Sequence, residues 1–117
     1  MDPHPPISSR IAIARFAEQA VAADTGVSPT EGGGRWLTRD GERTIPGIVA
    51  TASGDGRVEV GLHLIAHLPP RPLEQQVENL RSEILASARQ ARLAEGLGRI
   101  DVTIHDLREA DEGGGVA

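Results

Sequence analysis

The fold is decided by residues 58–107, VEVGLHLIAHLPPRPLEQQVENLRSEILASARQARLAEGLGRIDVTIHDL. In the first part of this stretch apolar and polar residues alternate, which is the pattern of a strand buried on one face. The apolar face is predicted to carry Val58, Val60, Leu62, Leu64, Ala66 and Leu68. The opposite face is predicted to carry Glu59, His63 and His67.

A long amphipathic helix is predicted after the prolines that follow this strand. Pro72 suits the first position of a helix, and from Leu73 to about Ala94 apolar residues recur every three or four positions. Gly96 and Gly98 are expected to end the helix. Its predicted apolar stripe consists of Leu73, Val77, Leu80, Ile84, Ala88, Ala91 and Ala94.

A second one-sided strand is predicted after the helix. Its apolar residues, Ile100, Val102 and Ile104, alternate with Asp101, Thr103 and His105. Because the helix is long enough to carry the chain back across the sheet, the two strands are expected to be parallel. The residues predicted to be largely buried are Leu62, Leu64, Val77, Leu80, Ile84, Val102 and Ile104.

The N-terminal half predicts a helix followed by a hairpin. Ser8 or Ser9 is the expected helix cap, and Gly26 is the expected residue just past the helix end. Residues 27–34 are predicted to be a loop, in which three consecutive glycines are expected to be flexible rather than phosphate-binding. Asp40-Gly41 predicts a hairpin turn. Residues 43–52 resemble an edge strand or a bulged strand, because Pro46 and Gly47 interrupt it.

These elements predict an α+β fold. We expect a two-layer sandwich with a small mixed sheet of three or four strands and two helices on one face, in the order α-β-β-α-β. Residues 8–108 are predicted to form a single domain. Residues 1–7 are predicted to be a disordered lead-in, and residues 109–117 a disordered acidic, glycine-rich tail.

Composition narrows the functional classes. The 117 residues include no cysteine and no tyrosine, with one phenylalanine and one tryptophan, and the net charge is −5. Disulfides and thiolate chemistry are therefore excluded, and the negative charge argues against nucleic acid as a partner. No apolar run reaches the roughly 20 residues of a membrane span, so direct membrane insertion is not expected. The first residues do not form a signal peptide, and a cytoplasmic location is predicted.

No catalytic chemistry is predicted. No serine lies in a G-x-S-x-G pattern, and the glutamates of the long helix alternate with arginines, which is typical of a solvated face. His63, His67 and His105 fall opposite the apolar stripes and are expected to share the open face of the sheet. In one register His67 and His105 would be neighbours. No metal-binding spacing is present, so we predict no catalytic residue, no cofactor and no metal.

The chain from Val58 onward resembles the alkaline shock protein family, also called the envelope stress response family. The resemblance rests on the strand of residues 58–64 (VEVGLHL), the long helix, the glycine after it and the strand of residues 100–105 (IDVTIH). The Gly26-Val27 pair after an alanine-rich first helix is also similar, so roughly residues 8–107 are covered. This chain departs from the family in having Leu68-Pro69-Pro70-Arg71-Pro72 before the second helix and arginine in place of lysine.

The resemblance implies a bacterial, non-enzymatic interaction or scaffold protein that acts through protein–protein contacts and self-association. Its expected partners are itself, as a homo-oligomer, and a membrane-anchoring protein that would bring it to the inner face of the membrane. One alternative is a small-ligand or metal-binding module that uses the open sheet face, and another is an enzyme-complex subunit without its own active site. The predicted interaction surface is His63, Ile65, His67, Pro69, Pro70, Pro72 and His105.

Overall fold

The computed structural model describes residues 8–30, 34–68 and 72–109. Our predictions for residues 1–7, for the tail from residue 110 onward, for Gly32 and Gly33, and for Pro69 and Pro70 lie outside the described residues. The elements are α1 (Ser9–Ala23), β1 (Val27–Pro29), β2 (Leu37–Asp40), β3 (Arg43–Pro46), β4 (Ile48–Ala52), β5 (Val58–Leu68), α2 (Leu73–Gln90), a 3-10 turn (Ala94–Gly96) and β6 (Leu97–Glu109).

The main sheet has four strands, with β5 at its centre. Strand β6 pairs with β5 in parallel, as predicted, from Val58↔Leu97 to Leu68↔Glu109. On the other edge of β5, β4 and β1 both pair antiparallel, β4 along residues 58–62 and β1 along residues 64–66. Strands β2 and β3 form a separate two-stranded sheet. The fold is therefore α+β with two helices and a mixed sheet, as the sequence predicts.

The predicted loop of residues 27–34 was wrong at its start. Residues 27–29 form β1, which pairs Val27 with Ala66 and Pro29 with Leu64. A strand of three residues is too short to show a period-2 pattern, and its pairing partner lies far along the chain, so local sequence does not indicate it. At the other end of the described chain, β6 continues to Glu109.

The predicted interruption near Pro46 separates β3 from β4. Gly47 lies between them with a positive φ of 78°, a backbone conformation that glycine adopts at no steric cost. The Gly47 N–H donates to the Trp36 carbonyl, and its own carbonyl accepts from the His63 N–H, each at 2.7 Å. The Thr38 hydroxyl then bridges β2 to β4 by donating to the Ile48 carbonyl and accepting from the Ala50 N–H.

The core lies between the helices and the sheet. Its buried residues come from α1, β1, β3, β4, β5 and α2, and Leu62, Leu64, Leu80 and Ile84 are buried as predicted. Three residues predicted to be largely buried are only half-buried, namely Val77, Val102 and Ile104. The two from β6 are half-buried because β5 is the only strand beside β6 among the described residues.

Helix α2 is rotated relative to the predicted stripe. Its buried residues are Gln76, Leu80, Ile84 and Ala88, whereas Leu73 is 39% exposed and Ala91 is exposed. The helix also ends at Gln90 rather than near Ala94. The Leu93 N–H donates to the Ala88 carbonyl and Arg92 has a φ of 63°, so a Schellman turn ends the helix with arginine where glycine is usual.

Gln76 is buried because it joins the two helices. Its side-chain amide donates to Asp24 Oδ1 at 3.0 Å, and the Gly26 N–H donates to the same oxygen at 2.8 Å. Asp24 is the C-cap of α1, so Gly26 does not end the helix as predicted. A side chain at Gly26 would collide with the Gln76 amide, so the amide would have to move away from Asp24 to make room for it.

An ion-pair network fastens α1 to the β2–β3 hairpin. Asp40 pairs with Arg15 at 2.8 Å and with Arg43 at 3.0 Å, and Arg43 also pairs with Glu18 at 2.8 Å. The Arg15 hydrogen bond, supported by Arg43, lowers the pKa of the Asp40 carboxyl to about 2. The hairpin turn predicted at Asp40-Gly41 is confirmed, with Asp40 opposite Arg43.

Leu80→Ala tests the observed stripe of α2. Because Leu80 is fully packed in the core, we expect the substitution to lower the free energy of unfolding by about 2–5 kcal/mol. Leu73→Ala is the matched control, and because Leu73 is largely solvent-exposed we expect a loss below about 1 kcal/mol. Urea denaturation followed by far-UV circular dichroism measures both. Equal losses for the two variants would contradict the rotation of the helix described above.

Gly47→Ala tests the junction between β3 and β4. A Cβ atom at Gly47 would lie 2.6 Å from the Pro29 Cβ atom and 2.9 Å from the His63 carbonyl oxygen, in addition to the cost of the positive φ. We expect a loss of about 2–4 kcal/mol in unfolding free energy. Gly41→Ala has a similar φ of 67° and no neighbour within 4 Å, so it should cost only the backbone term of about 1–2 kcal/mol. A Gly47 variant as stable as the Gly41 variant would contradict the close contact.

Candidate functional site

A pair of histidines lies on the open face of the main sheet, the face turned away from the helices. His63 on β5 and His105 on β6 approach each other, with 2.9 Å between His63 Nδ1 and His105 Nε2. Their ring centroids are 5.1 Å apart and the ring planes are tilted by 44°. At that distance one ring donates an N–H to the other, so one facing nitrogen carries the proton and the other accepts it.

An irregularity in the β5–β6 pairing creates this contact. Leu64 pairs with Ile104 and Ile65 pairs with Asp106, which leaves His105 as an extra residue in β6. This is the geometry of a β-bulge, which redirects a side chain and locally increases strand twist. The regular partner of His63 is Thr103, so the bulge helps to bring the His105 ring back toward His63.

The third member of the cluster is Trp36. Its ring stacks on the His63 ring with centroids 4.0 Å apart and planes 10° from parallel, and its centroid lies 5.7 Å from that of His105. The backbone hydrogen bonds from Gly47 to Trp36 and from His63 to Gly47 hold the two rings at this spacing. Trp36 was not among the predicted site residues. The available signal was that it is the only tryptophan in the chain and precedes a hairpin.

The environment of the cluster disfavours the charged form of His63. Partial burial lowers the pKa of the His63 imidazole below its usual 6.5, and the nearby charge of His105 lowers it further. Both effects act in the same direction because a buried cation is poorly solvated and two imidazolium ions repel each other. The pair is therefore held in a state in which His63 is neutral near neutral pH.

The register that would make His67 a neighbour of His105 is not the observed one, because His67 pairs with Arg108. Instead, His67 Nε2 lies 3.1 Å from the Ser28 hydroxyl of β1. Strand β1 occupies this part of the β5 edge and the observed register places His63, not His67, beside His105. His67 thus belongs to the β1–β5 contact and is separate from the histidine pair.

The other residues of the predicted interaction surface differ in their exposure. Ile65 was expected to be exposed on the open face but is only 3% exposed in the single chain. It lies between Ser28 of β1 and Asp106 of β6 in the sheet, and β1 is the strand that was predicted to be a loop. Pro72 is exposed at the N-terminus of α2, while Pro69 and Pro70 lie outside the described residues.

The second candidate feature is the outer edge of β6. This strand has 13 residues, and among the described residues its only strand partner is β5. Ile100, Val102 and Ile104 are half-buried there, and Leu107 is 52% exposed. Arg81 of α2 donates from Nε to the Ile100 carbonyl at 3.0 Å, so one polar group near this edge is satisfied by a side chain rather than by another strand.

A groove between α1 and α2 has polar walls but no catalytic arrangement. Its volume is about 460 Å³, and Asp24, Thr25, Asn79, Ser82 and Glu83 contribute to its lining. The Asp24 oxygen Oδ1 already accepts two hydrogen bonds, from Gly26 and Gln76. This carboxylate therefore has a structural role in joining the helices.

Two kinds of feature are absent from the part of the chain that the structure describes. No group of three or more His, Asp or Glu side chains there has the arrangement of a complete metal site. No helix there has the length and apolarity needed to cross a membrane.

Comparisons with known proteins do not assign the chain to a family. No family model matches it, and neither a curated protein nor a solved structure is similar to it. The resemblance to the alkaline shock proteins thus rests on the sequence pattern alone.

The His63 titration tests the geometry of the pair. We expect its imidazole proton resonances, followed by NMR, to titrate below pH 6.5, because burial and His105 both disfavour the cation. His105→Ala removes the repulsion and should move the midpoint upward, while burial keeps it below 6.5. Since the folded pKa lies below the unfolded one, this group's stabilising contribution is present above pH 6.5 and is lost as the pH falls through the folded pKa. An unperturbed midpoint, or an equal effect of the control His67→Ala, would contradict the pairing.

Proposed function

We propose that this protein is a non-enzymatic interaction module that self-associates by pairing the edge of β6 with β6 of a second copy. The observation that carries the proposal is a 13-residue strand bonded to β5 alone among the described strands. Such an edge presents unpaired N–H and C=O groups that form hydrogen bonds with another strand. The resemblance to the alkaline shock family, whose members act through protein contacts, supports the same conclusion.

The composition of the edge favours a second copy over an unrelated strand. Antiparallel pairing about a two-fold axis is isologous, so one surface serves both partners. The regular part of β6 between its two register irregularities runs from Ile100 to Ile104. With the axis at Val102, Ile100 lies opposite the partner's Ile104, and Asp101 lies opposite the partner's Thr103. All three half-buried residues would then gain apolar contact, which stabilises cross-strand pairs.

The charged residues and the limit of regular pairing also favour the axis at Val102 over an axis shifted by one residue in either direction. Moving the axis to Asp101 would place two carboxylates directly opposite each other, which is destabilising. Moving it to Thr103 would place Ile100 opposite the partner's irregular segment beyond Ile104, where regular pairing ends. With the axis at Val102, apolar residues of the regular segment oppose only apolar residues, so this register gives the best match.

Arg81 limits the association. In the single chain its guanidinium donates a hydrogen bond to the Ile100 carbonyl. Alternate residues of a strand direct their backbone polar groups to the same edge, so the backbone groups of Val102 and Ile104 face the same edge as that carbonyl. The partner's Ile104 N–H would replace Arg81 at this carbonyl. A charged side chain over an edge is a common protection against strand addition, so the competition with Arg81 favours a reversible assembly.

The proposed location follows from the family resemblance together with the charge. With a net charge of −5 the protein would be repelled by anionic lipid. If it acts at the inner face of the cell envelope, a membrane-anchoring protein has to bring it there. The exposed end of α2 at Pro72 and the open sheet face are the surfaces we propose for that contact.

A single cysteine at the proposed axis tests the assembly. The chain has no cysteine, so Val102→Cys introduces one thiol per copy. Opposite residues of an antiparallel pair lie about 5.5 Å apart at Cα, within the range of a disulfide. We expect mild oxidation to convert most of this variant into a covalent dimer, seen by non-reducing electrophoresis.

The matched control is Val49→Cys, a half-buried valine of β4 on the other side of β5. It should remain monomeric under the same oxidation, and light scattering of the unmodified chain should show a dimer at high concentration. Arg81→Ala should strengthen the dimer, because it removes the competing donor. A strict monomer, or equal cross-linking of both cysteine variants, would show that β6 does not self-associate.

A further inference from the structure

We propose that His63 and His105 form a chelating pair for a divalent late transition metal ion, with Cu²⁺ as the preferred ion. Two observations point to this site: the 2.9 Å separation of His63 Nδ1 and His105 Nε2, and the fixed position of the His63 ring beneath Trp36. The inference is independent of self-association, because both ligands belong to one chain.

The separation of the two nitrogens fits one class of metal geometry. Imidazole nitrogens bind such ions at about 2.0–2.1 Å, so two of them at 90° to each other lie about 2.9 Å apart. In a tetrahedral site the same bond lengths would separate them by about 3.4 Å. Square-planar and tetragonal sites with nitrogen and oxygen ligands are typical of Cu²⁺ and Ni²⁺, and Cu²⁺ binds more tightly of the two.

Binding would require the donor ring to change tautomer: its proton leaves the facing nitrogen and solvent returns a proton to the other nitrogen of the same ring, so that both imidazoles bind as neutral ligands. In the metal-free pair the facing nitrogens are joined by one N–H···N hydrogen bond, and the metal ion would lie to one side of this line. With an angle of 90° at the ion, each lone pair has to turn by about 45° away from the line between the nitrogens. His105 is exposed and free to turn, and His63 can turn within its own plane while it stays stacked on Trp36.

The site supplies two protein ligands and leaves the remaining positions open. No third His, Asp or Glu joins the pair in the described part of the chain, so water would complete the coordination. Open positions are typical of metal sites that exchange ligands. Preorganisation partly compensates for the small number of ligands, because the bulge at His105 and the Trp36 stack position both rings before the ion binds.

Copper titration of the metal-free protein tests the site. The fluorescence of Trp36, the only tryptophan, should be quenched as Cu²⁺ binds with one ion per chain, in a buffer with glycine as a weak competing ligand. Electron paramagnetic resonance should show nitrogen coupling from two imidazoles. Because the imidazole of His4 also attracts Cu²⁺, every protein in the series carries His4→Ala.

His105→Ala is the decisive variant, because His105 is exposed and its removal leaves the core intact. It should weaken Cu²⁺ binding by about tenfold or more, since one of two ligands is lost. His63→Gln should do the same, with circular dichroism confirming its fold. His67→Ala, on the same strand but outside the pair, should bind as the parent does. Unchanged affinity in His105→Ala, a single imidazole in the resonance spectrum, or an equal loss in His67→Ala would overturn the proposal.

Discussion

The structure depends on the pairing of β5 along both of its edges. On one edge it is bonded to β6 over its whole length, and on the other β4 and β1 follow each other. The point where β4 gives way to β1 is His63, whose N–H donates to Gly47 and whose carbonyl accepts from Thr30. Because both backbone groups of His63 are satisfied there, its ring has a fixed place on the open face.

The histidine pair is a consequence of irregularities in an otherwise regular sheet. Gly47 breaks β3 from β4 and its bonds place Trp36 beside His63, while the extra residue in β6 directs His105 toward the same point. If the Gly47 junction or the extra residue in β6 were absent, the side chains of Trp36, His63 and His105 would not be brought together on the open face. The proposed metal site and the proposed self-association are both located on β6, but they use different parts of it: a side chain on the open face in one case and backbone groups of the outer edge in the other.

Much of the fold could be predicted, because long amphipathic elements record their burial in the sequence. The period-2 pattern of β5, the N-terminal serine cap of α1 and the parallel placement of β6 are of this kind. The errors have identifiable causes. Gln76 is buried in place of Val77 because its amide satisfies Asp24 at the end of α1, a contact over 52 positions that local periodicity does not record. Strand β1 forms only because it pairs with the edge of β5, and its three residues are too few to show an alternating hydrophobic pattern.

By itself, the sequence determined the α+β class, the two helices, the parallel pair of long strands and the presence of three histidines opposite the apolar faces. It did so because alternation and helical periodicity are set by which side of each element faces water. Only the tertiary structure decided that His63, and not His67, contacts His105. It alone also decided that Trp36 stacks on His63 and that Ile65 is buried. Those outcomes depend on strand register, and a shift of one residue in pairing reverses which side chains meet. Register in this sheet is fixed by the bulge in β6 and by the Gly47 junction, both of which arise from contacts between distant parts of the chain.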